Sequence, residues 1–244
     1  MAVALTSCTK TGPTGPAGAT GGTGPNLSGT LQGYVDLFDE YGDLQTNASS
    51  VYVTIPGKTG TDSTSSGGIF TKSLTTGTYN LNFIKIGYGG MEIPSLNFVG
   101  GGTQYINAHI QLTKAPMFTL SSATSGTATV QGLSAVTVTV TASSTDTKAR
   151  KVICFFNNTP TANSVNYTGT SIINIPANST TGSGSISTAA AYGGGIPSGG
   201  TIYIGAYPIS VSNNASSYLD VSSGKTLYNN INTVGFVTTS TIVP

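Results

Sequence analysis

The segment Val136-Thr137-Val138-Thr139-Val140 alternates apolar and polar side chains without a break. Because successive side chains of a strand point to opposite faces, the three valines are expected to line a buried sheet face. The same period-two pattern recurs along the chain in short runs that Gly, Ser, Asn and Pro separate, and no run of helical period is long enough to compete. The chain is therefore predicted to be all-β and built from sandwiches.

The alternating runs fall into two groups, and Ala115-Pro116 interrupts the pattern between them. We therefore expect two tandem β-sandwich domains after a flexible N-terminal tether. The predicted bounds are 1–27 for the tether, 28–114 for the first domain and 115–244 for the second. Within the first domain, residues 105–112 alternate as a single strand that turns His109 towards solvent.

Composition excludes several classes of function. Charged residues make up only 7% of the chain and its formal net charge is +1, which is not the basic stripe of a nucleic-acid-binding protein. His109 is the only histidine, the eight acidic residues lie mostly in turns, and no Gly-x-Ser-x-Gly elbow is present. We predict a protein that is not an enzyme, with no cofactor and no catalytic or metal-ligating residues.

The densest group of carboxylates is Asp36, Asp39, Glu40 and Asp43. Carboxylate oxygens are calcium ligands, but this spacing differs from that of an EF-hand loop. We interpret the segment as a solvated turn, with an ion site as the alternative.

The two cysteines are expected to have different roles. Cys154 lies in the apolar run Val152-Ile153-Cys154-Phe155-Phe156, where a free cysteine behaves as a small buried hydrophobe. A disulfide would tie this core strand to the tether, so we expect none.

Cys8 closes the tetrapeptide Leu5-Thr6-Ser7-Cys8, which resembles the lipobox of bacterial lipoproteins. Glycine then recurs at every third position from Gly12 to Gly24, the period of collagen. This order resembles many surface lipoproteins of the Bacteroidota phylum. The resemblance implies lipidation of Cys8, a membrane partner through that anchor, and the cell surface of the bacterial outer membrane as the location. The triplets are interpreted as a spacer, and a trimerising stalk, hence a homo-oligomer, is the alternative.

The first domain resembles the carboxypeptidase regulatory-like domain, a transthyretin-like sandwich. The segments that carry this resemblance, in family order, are Gly33-Tyr34-Val35-Asp36, Val51-Tyr52-Val53, Thr61-Asp62 with Gly68-Ile69-Phe70, Gly77-Thr78-Tyr79-Asn80-Leu81, and Gly87-Tyr88. The family's domain is a non-catalytic accessory, which implies a role in folding, spacing or binding. Asp62-Ser63-Thr64 also resembles the Bacteroidota O-glycosylation motif, which would modify Ser63.

The second domain resembles immunoglobulin and fibronectin type III sandwiches through the tyrosine-rich run Thr201-Ile202-Tyr203-Ile204-Gly205-Ala206-Tyr207. A segment rich in Ser, Asn and Tyr, residues 213–232, follows as a long loop or a glycan-contacting surface. Tyr203, Tyr207, Tyr218 and Tyr228 are candidate ligand contacts by stacking on sugars, and core packing is the alternative for each.

Two functions follow from these features. The first is a non-catalytic cell-surface lipoprotein that presents sandwich domains to a glycan or to a protein partner, such as an outer-membrane transporter. The alternative is a structural subunit of a surface fibre or layer assembled by strand pairing. The C-terminal residues 238–244 are either an unpaired strand for such assembly or an ordinary closing strand.

Overall fold

The computed structural model describes residues 26–211, 217–220 and 223–244. Within them it contains seventeen strands and one short helix, which confirms the predicted all-β sandwich class. No helix among these residues is long and apolar enough to cross a membrane. Cys8 and the Gly-x-y triplets lie outside the described residues.

The first sandwich packs two sheets face to face. Its strands are β1 (Ser28–Phe38), β2 (Tyr52–Thr54), β3 (Asp62–Ser63), β4 (Ile69–Thr75), β5 (Gly77–Ile84), β6 (Met91–Phe98), β7 (Thr103–Tyr105) and β8 (Ile110–Thr113). One sheet has the order β4-β1-β7, with β8 also paired to β1, and the other has the order β3-β2-β5-β6.

The core of this sandwich follows from alternation along the strands. Leu31, Val35 and Leu37 of β1 and Leu81 and Phe83 of β5 are almost fully buried, and they belong to one apolar cluster between the sheets. The intervening side chains of each strand face outwards, which is the pattern of a sheet with one solvated face.

The prediction of one strand over residues 105–112 was wrong. Residues 106–109 separate β7 from β8. Both strands pair in parallel with β1, but Thr30 is opposite Thr103 whereas Val35 is opposite Ile110. The chain therefore carries two extra residues between the paired segments, and these break the strand.

The second sandwich has nine strands and the helix. They are β9 (Leu120–Val130), β10 (Leu133–Ala142), β11 (Arg150–Asn157), β12 (Gly169–Ile175), β13 (Thr181–Ser187), α1 (Thr188–Gly193), β14 (Thr201–Ile209), β15 (Ser217–Asp220), β16 (Lys225–Tyr228) and β17 (Val237–Ile242). The two sheets have the orders β13-β10-β9 and β12-β11-β14-β17, and β15 pairs with β16 alone.

The predicted valine face of β10 is confirmed. Val136, Val138 and Val140 are each at most 1% exposed and pack in one cluster with Cys154 and Phe156 of the facing sheet. Cys154 is a free, fully buried cysteine, as the apolar run around it predicted.

Strand β11 is buried on both faces, which explains why its sequence does not alternate. Ile153 and Phe155 point away from the main core and form a second cluster with Tyr207, Ile209 and Ile231. Part of the segment interpreted as a long loop covers this cluster, because Ile231 belongs to it and Tyr228 of β16 packs against it. Strands β15 and β16 of the same segment pair with each other.

Loop 39–43 of the first sandwich contacts the second sandwich, and we call this contact the domain joint. The hydroxyl of Tyr41 donates to Oδ2 of Asp146 over 2.5 Å. Nζ of Lys148 donates to Oδ2 of Asp43 over 2.6 Å and lies 4.7 Å from the centre of the Tyr41 ring. The loop is thus both the turn that the sequence predicted and a contact surface that it did not.

Glu40 extends the domain joint. Its carboxylate accepts a hydrogen bond from the amide of Met117 over 2.7 Å, and its carbonyl accepts one from the amide of Val211 over 2.9 Å. Nearby, the hydroxyl of Ser210 donates to the carbonyl of Lys114 over 2.7 Å. Polar contacts from three chain segments therefore fix the first sandwich against the second.

Candidate glycan-binding face

The outer face of the sheet β4-β1-β7/β8 carries a group of polar and aromatic side chains, which we call the tyrosine face. Its members are Gln32, Tyr34, Asp36, Tyr105, His109 and Gln111. Gln32, Tyr34 and Asp36 face outwards because the alternating residues Leu31, Val35 and Leu37 of β1 occupy the core.

Register brings these residues together from distant parts of the chain. Gln32 is opposite Tyr105, and Asp36 is opposite Gln111. Residues paired across neighbouring strands lie on the same face of the sheet. The face is therefore continuous over three strands.

Tyr34 and His109 form the centre of the tyrosine face. Their rings are stacked, with centroids 5.3 Å apart and planes 13° apart. Nδ1 of His109 lies 2.8 Å from Oδ2 of Asp36, so the carboxylate fixes the orientation of the imidazole. The prediction that His109 faces solvent is confirmed, since its side chain is 54% exposed.

Both tyrosine rings of the face are available to a ligand. Tyr34 is 38% exposed and Tyr105 is 58% exposed. Gly33, between Gln32 and Tyr34, lacks the side chain that would otherwise meet the core, since a Cβ there would lie 2.7 Å from the ring of Phe70. Close packing beneath the sheet thus leaves the outer face flat and well supported.

The chemistry of this arrangement is that of recognition. Tyrosine rings offer flat apolar surface with a polar edge, and Gln and Asp offer amide and carboxylate groups that pair with hydroxyls. Among the described residues there is no cluster of three His, Cys, Asp or Glu side chains that would hold a metal ion.

The four tyrosines predicted as ligand contacts have different surroundings. Tyr207 is 6% exposed and stacks on Phe236 with centroids 4.7 Å apart. Burial raises the pKa of its hydroxyl. Tyr228 packs edge-on against Phe155. Both therefore have the core-packing role that the sequence left as the alternative.

The other two predicted tyrosines reach the surface. Tyr203 lines a shallow depression beside Pro160 and Thr239. Tyr218 lines a cleft against the first sandwich. Ser63, the predicted glycosylation site, is exposed at the end of the edge strand β3, and Cys8 lies outside the described residues.

Sequence reasoning did not select the tyrosine face, although one signal for it was present. In β1 the residues Gln32, Tyr34 and Asp36 alternate with apolar ones, which places an aromatic ring on the solvated side of a strand. The partners Tyr105 and His109 could not be added to it, because parallel pairing between segments about 70 residues apart leaves no local pattern.

No known family profile and no curated protein matches this chain. Similar solved structures include a candidate carbohydrate-binding protein from Bacteroides uniformis, at 14% identity over 90% of this chain and 100% of the other, with a TM-score of 0.31. A DUF3823 family protein from Parabacteroides merdae is 15% identical over 85% of this chain and 98% of the other, with a TM-score of 0.27.

A cohesin–X-dockerin complex from Acetivibrio cellulolyticus is 26% identical over 32% of this chain and 50% of its own, with a TM-score of 0.27. Likeness at this level assigns no function to this chain.

Proposed function

We propose that the protein is a non-catalytic cell-surface lipoprotein that binds a glycan through the tyrosine face of its first sandwich. In this proposal a lipid on Cys8 anchors the chain to the bacterial outer membrane, and the Gly-x-y triplets form the spacer. The first sandwich is a carboxypeptidase regulatory-like domain and the second an immunoglobulin- or fibronectin-like one.

The stacked pair Tyr34–His109 beside the exposed ring of Tyr105 carries the proposal. A sugar ring presents C–H groups on its flat side and hydroxyls at its edge. An exposed aromatic ring matches the first and the flanking Gln and Asp groups match the second. Since strands of one sheet hold Gln32, Tyr34, Asp36 and Tyr105, ordering their backbone on binding costs little conformational entropy.

One feature that would favour the alternative of a strand-paired fibre subunit, an unpaired C-terminal strand, is not found in the described part of the chain. The C-terminal residues form β17, which pairs with β14 within the same chain from Thr201 opposite Ile242 to Ala206 opposite Val237. The last strand is therefore an ordinary closing strand.

The proposed function is tested with a Tyr34→Ala/Tyr105→Ala variant in affinity electrophoresis against soluble starch, xylan and laminarin, followed by calorimetry. Loss of two stacking contacts worth about 1 kcal/mol each should weaken binding roughly 30-fold. Tyr52→Ala is the matched control, because Tyr52 is 46% exposed on the opposite sheet. Absence of binding to every polysaccharide, or an equal loss in the control, would overturn the proposal.

The anchor is tested separately in cells of the source organism. Intact mass should show cleavage before Cys8 and added acyl chains, and globomycin should block that processing. An unacylated chain that is insensitive to globomycin would remove the anchor and leave the glycan site untouched.

A further inference from the structure

A second candidate site lies in the cleft between the two sandwiches, and we infer that it binds an amino sugar. We call it the junction cleft. One wall is the outer face of β5 and β6, and the other is strand β15. Its main cavity has a volume of about 250 Å³ and is lined by both sandwiches.

Glu92 is the central group of the first wall. It is opposite Asn82 in the register of β5 and β6, and it borders both the main cavity and an adjoining one of about 170 Å³. Its carboxylate is half-buried and makes no ion pair or hydrogen bond within the described part of the chain. Because no described side chain pairs with this carboxylate, it is available to pair with a cationic ligand.

Amide side chains line the same two cavities as this carboxylate. Oδ1 of Asn80 accepts a hydrogen bond from the amide of Ser95 over 2.8 Å, which orients its Nδ2 group as a donor for a ligand. Nδ2 of Asn229 donates to the carbonyl of Gly90 over 2.9 Å, a contact that links the two sandwiches at the side of the cleft. The polar wall is therefore positioned before any ligand arrives.

Tyr218 and Asp220 form the second wall. The amide and hydroxyl of Ser223 both donate to Oδ2 of Asp220, over 3.1 Å and 2.6 Å, and hold that carboxylate in place. Lys225, opposite Asp220 in the hairpin, donates to the carbonyl of Tyr167 over 3.0 Å. Among the described residues that line the two cavities there is no lysine, arginine or histidine.

These groups select one class of ligand. Two carboxylates and a tyrosine ring favour an ammonium group, by charge and by the attraction of a cation to the ring face. A lysine side chain of a peptide would satisfy the charge and leave the amides of Asn80, Asn82 and Asn229 unmatched. A hexose that carries a free amine supplies both the charge and the hydroxyls, and the cavity has the size of one or two such units.

The test uses the full chain with Tyr34→Ala and Tyr105→Ala. These substitutions remove sugar binding by the tyrosine face, so that any binding measured is due to the junction cleft. Binding of a glucosamine tetrasaccharide is compared by calorimetry with that of its fully N-acetylated form. We expect the free amine to bind at least roughly tenfold more tightly. Glu92→Gln should abolish that difference.

Two controls identify the source of any signal. Asp62→Asn in the same background also removes one carboxylate, on the edge strand β3 outside both sites, and should leave the preference unchanged. Trilysine should bind much more weakly than the glucosamine probe. Equal binding of the two sugars, loss of the preference in the Asp62 variant, or trilysine binding as tight as the sugar would each overturn the inference.

Discussion

Replacing Tyr41 by Phe should weaken the domain joint by a predictable amount. The substitution keeps the ring, and with it the position of Lys148 4.7 Å from the ring centre, and removes only the hydroxyl that donates to Asp146 over 2.5 Å. A hydrogen bond to a charged group contributes about 1.5–3 kcal/mol to stability. Because this hydrogen bond is only partly buried, we expect Tyr41→Phe to lower the free energy of unfolding by about 1.5 kcal/mol and Tm by roughly 3–6 °C.

The pKa values of the pair give the prediction a pH dependence. The bond to Asp146 raises the pKa of Tyr41. The amide of Lys148, followed by the Tyr41 hydroxyl, lowers the pKa of Asp146. A carboxyl group with a lowered folded-state pKa contributes fully above its unfolded-state pKa, and this contribution is lost as the pH falls through the folded value. The difference in free energy of unfolding between wild type and Tyr41→Phe should therefore have its full value at neutral pH and become smaller in acid.

The assay is urea unfolding of the wild type, Tyr41→Phe, Asp146→Asn and the double variant, from which a coupling free energy is obtained. Lys148→Ala is the control, since its ion pair with Asp43 is exposed on both sides and should contribute less to stability than the Tyr41 hydrogen bond. A coupling free energy below about 0.3 kcal/mol, or a Tyr41→Phe effect that grows in acid, would refute the reasoning.

Three further predictions concern the second sandwich. Phe155→Ala should lower the free energy of unfolding by about 3–5 kcal/mol and Tm by about 10 °C, because it empties the centre of the second cluster of this sandwich; a loss under 1 kcal/mol would contradict that packing. In a Cys8→Ser variant, Cys154 should resist Ellman's reagent at pH 8 until urea is added, since burial raises its pKa to about 12; fast native labelling would show an open core. Gln131→Asn should raise the free energy of unfolding by about 0.5 kcal/mol, and with it the urea midpoint, because Gln131 has a φ of 52° before Gly132 in the β9–β10 turn; a lowered midpoint would mean that the Gln side chain has a contact of its own.

Local sequence patterns predicted the strands well because alternation is a local consequence of burying one sheet face. The valines of β10 and the buried Cys154 of β11 illustrate this. The unbroken apolar run of β11 indicated a core strand, but it did not show which residues cover Phe155. That cover comes from Tyr167, Tyr207 and Tyr228, and long-range packing of this kind has no period along the chain.

The break between β7 and β8 shows a second limit. Residues 105–112 alternate as well as any true strand does, yet the two-residue difference in register against β1 interrupts them. Register is set by the pairing strand, which is about 75 residues away. The sequence therefore specified which residues face outwards more reliably than which of them become neighbours.

That distinction explains why both candidate sites were difficult to find from the sequence. Tyr34 has the outward position that its alternation predicted, but a lone outward tyrosine is ordinary. It becomes a candidate only through its stack on His109 and the exposed Tyr105 beside it. Likewise Glu92 is an unremarkable strand carboxylate until the domain joint brings Tyr218 opposite it. The domain joint therefore affects the two sites differently. If Tyr41→Phe loosens the contact between the sandwiches, amine binding in the junction cleft should weaken. Polysaccharide binding on the tyrosine face, which lies within one sandwich, should not change.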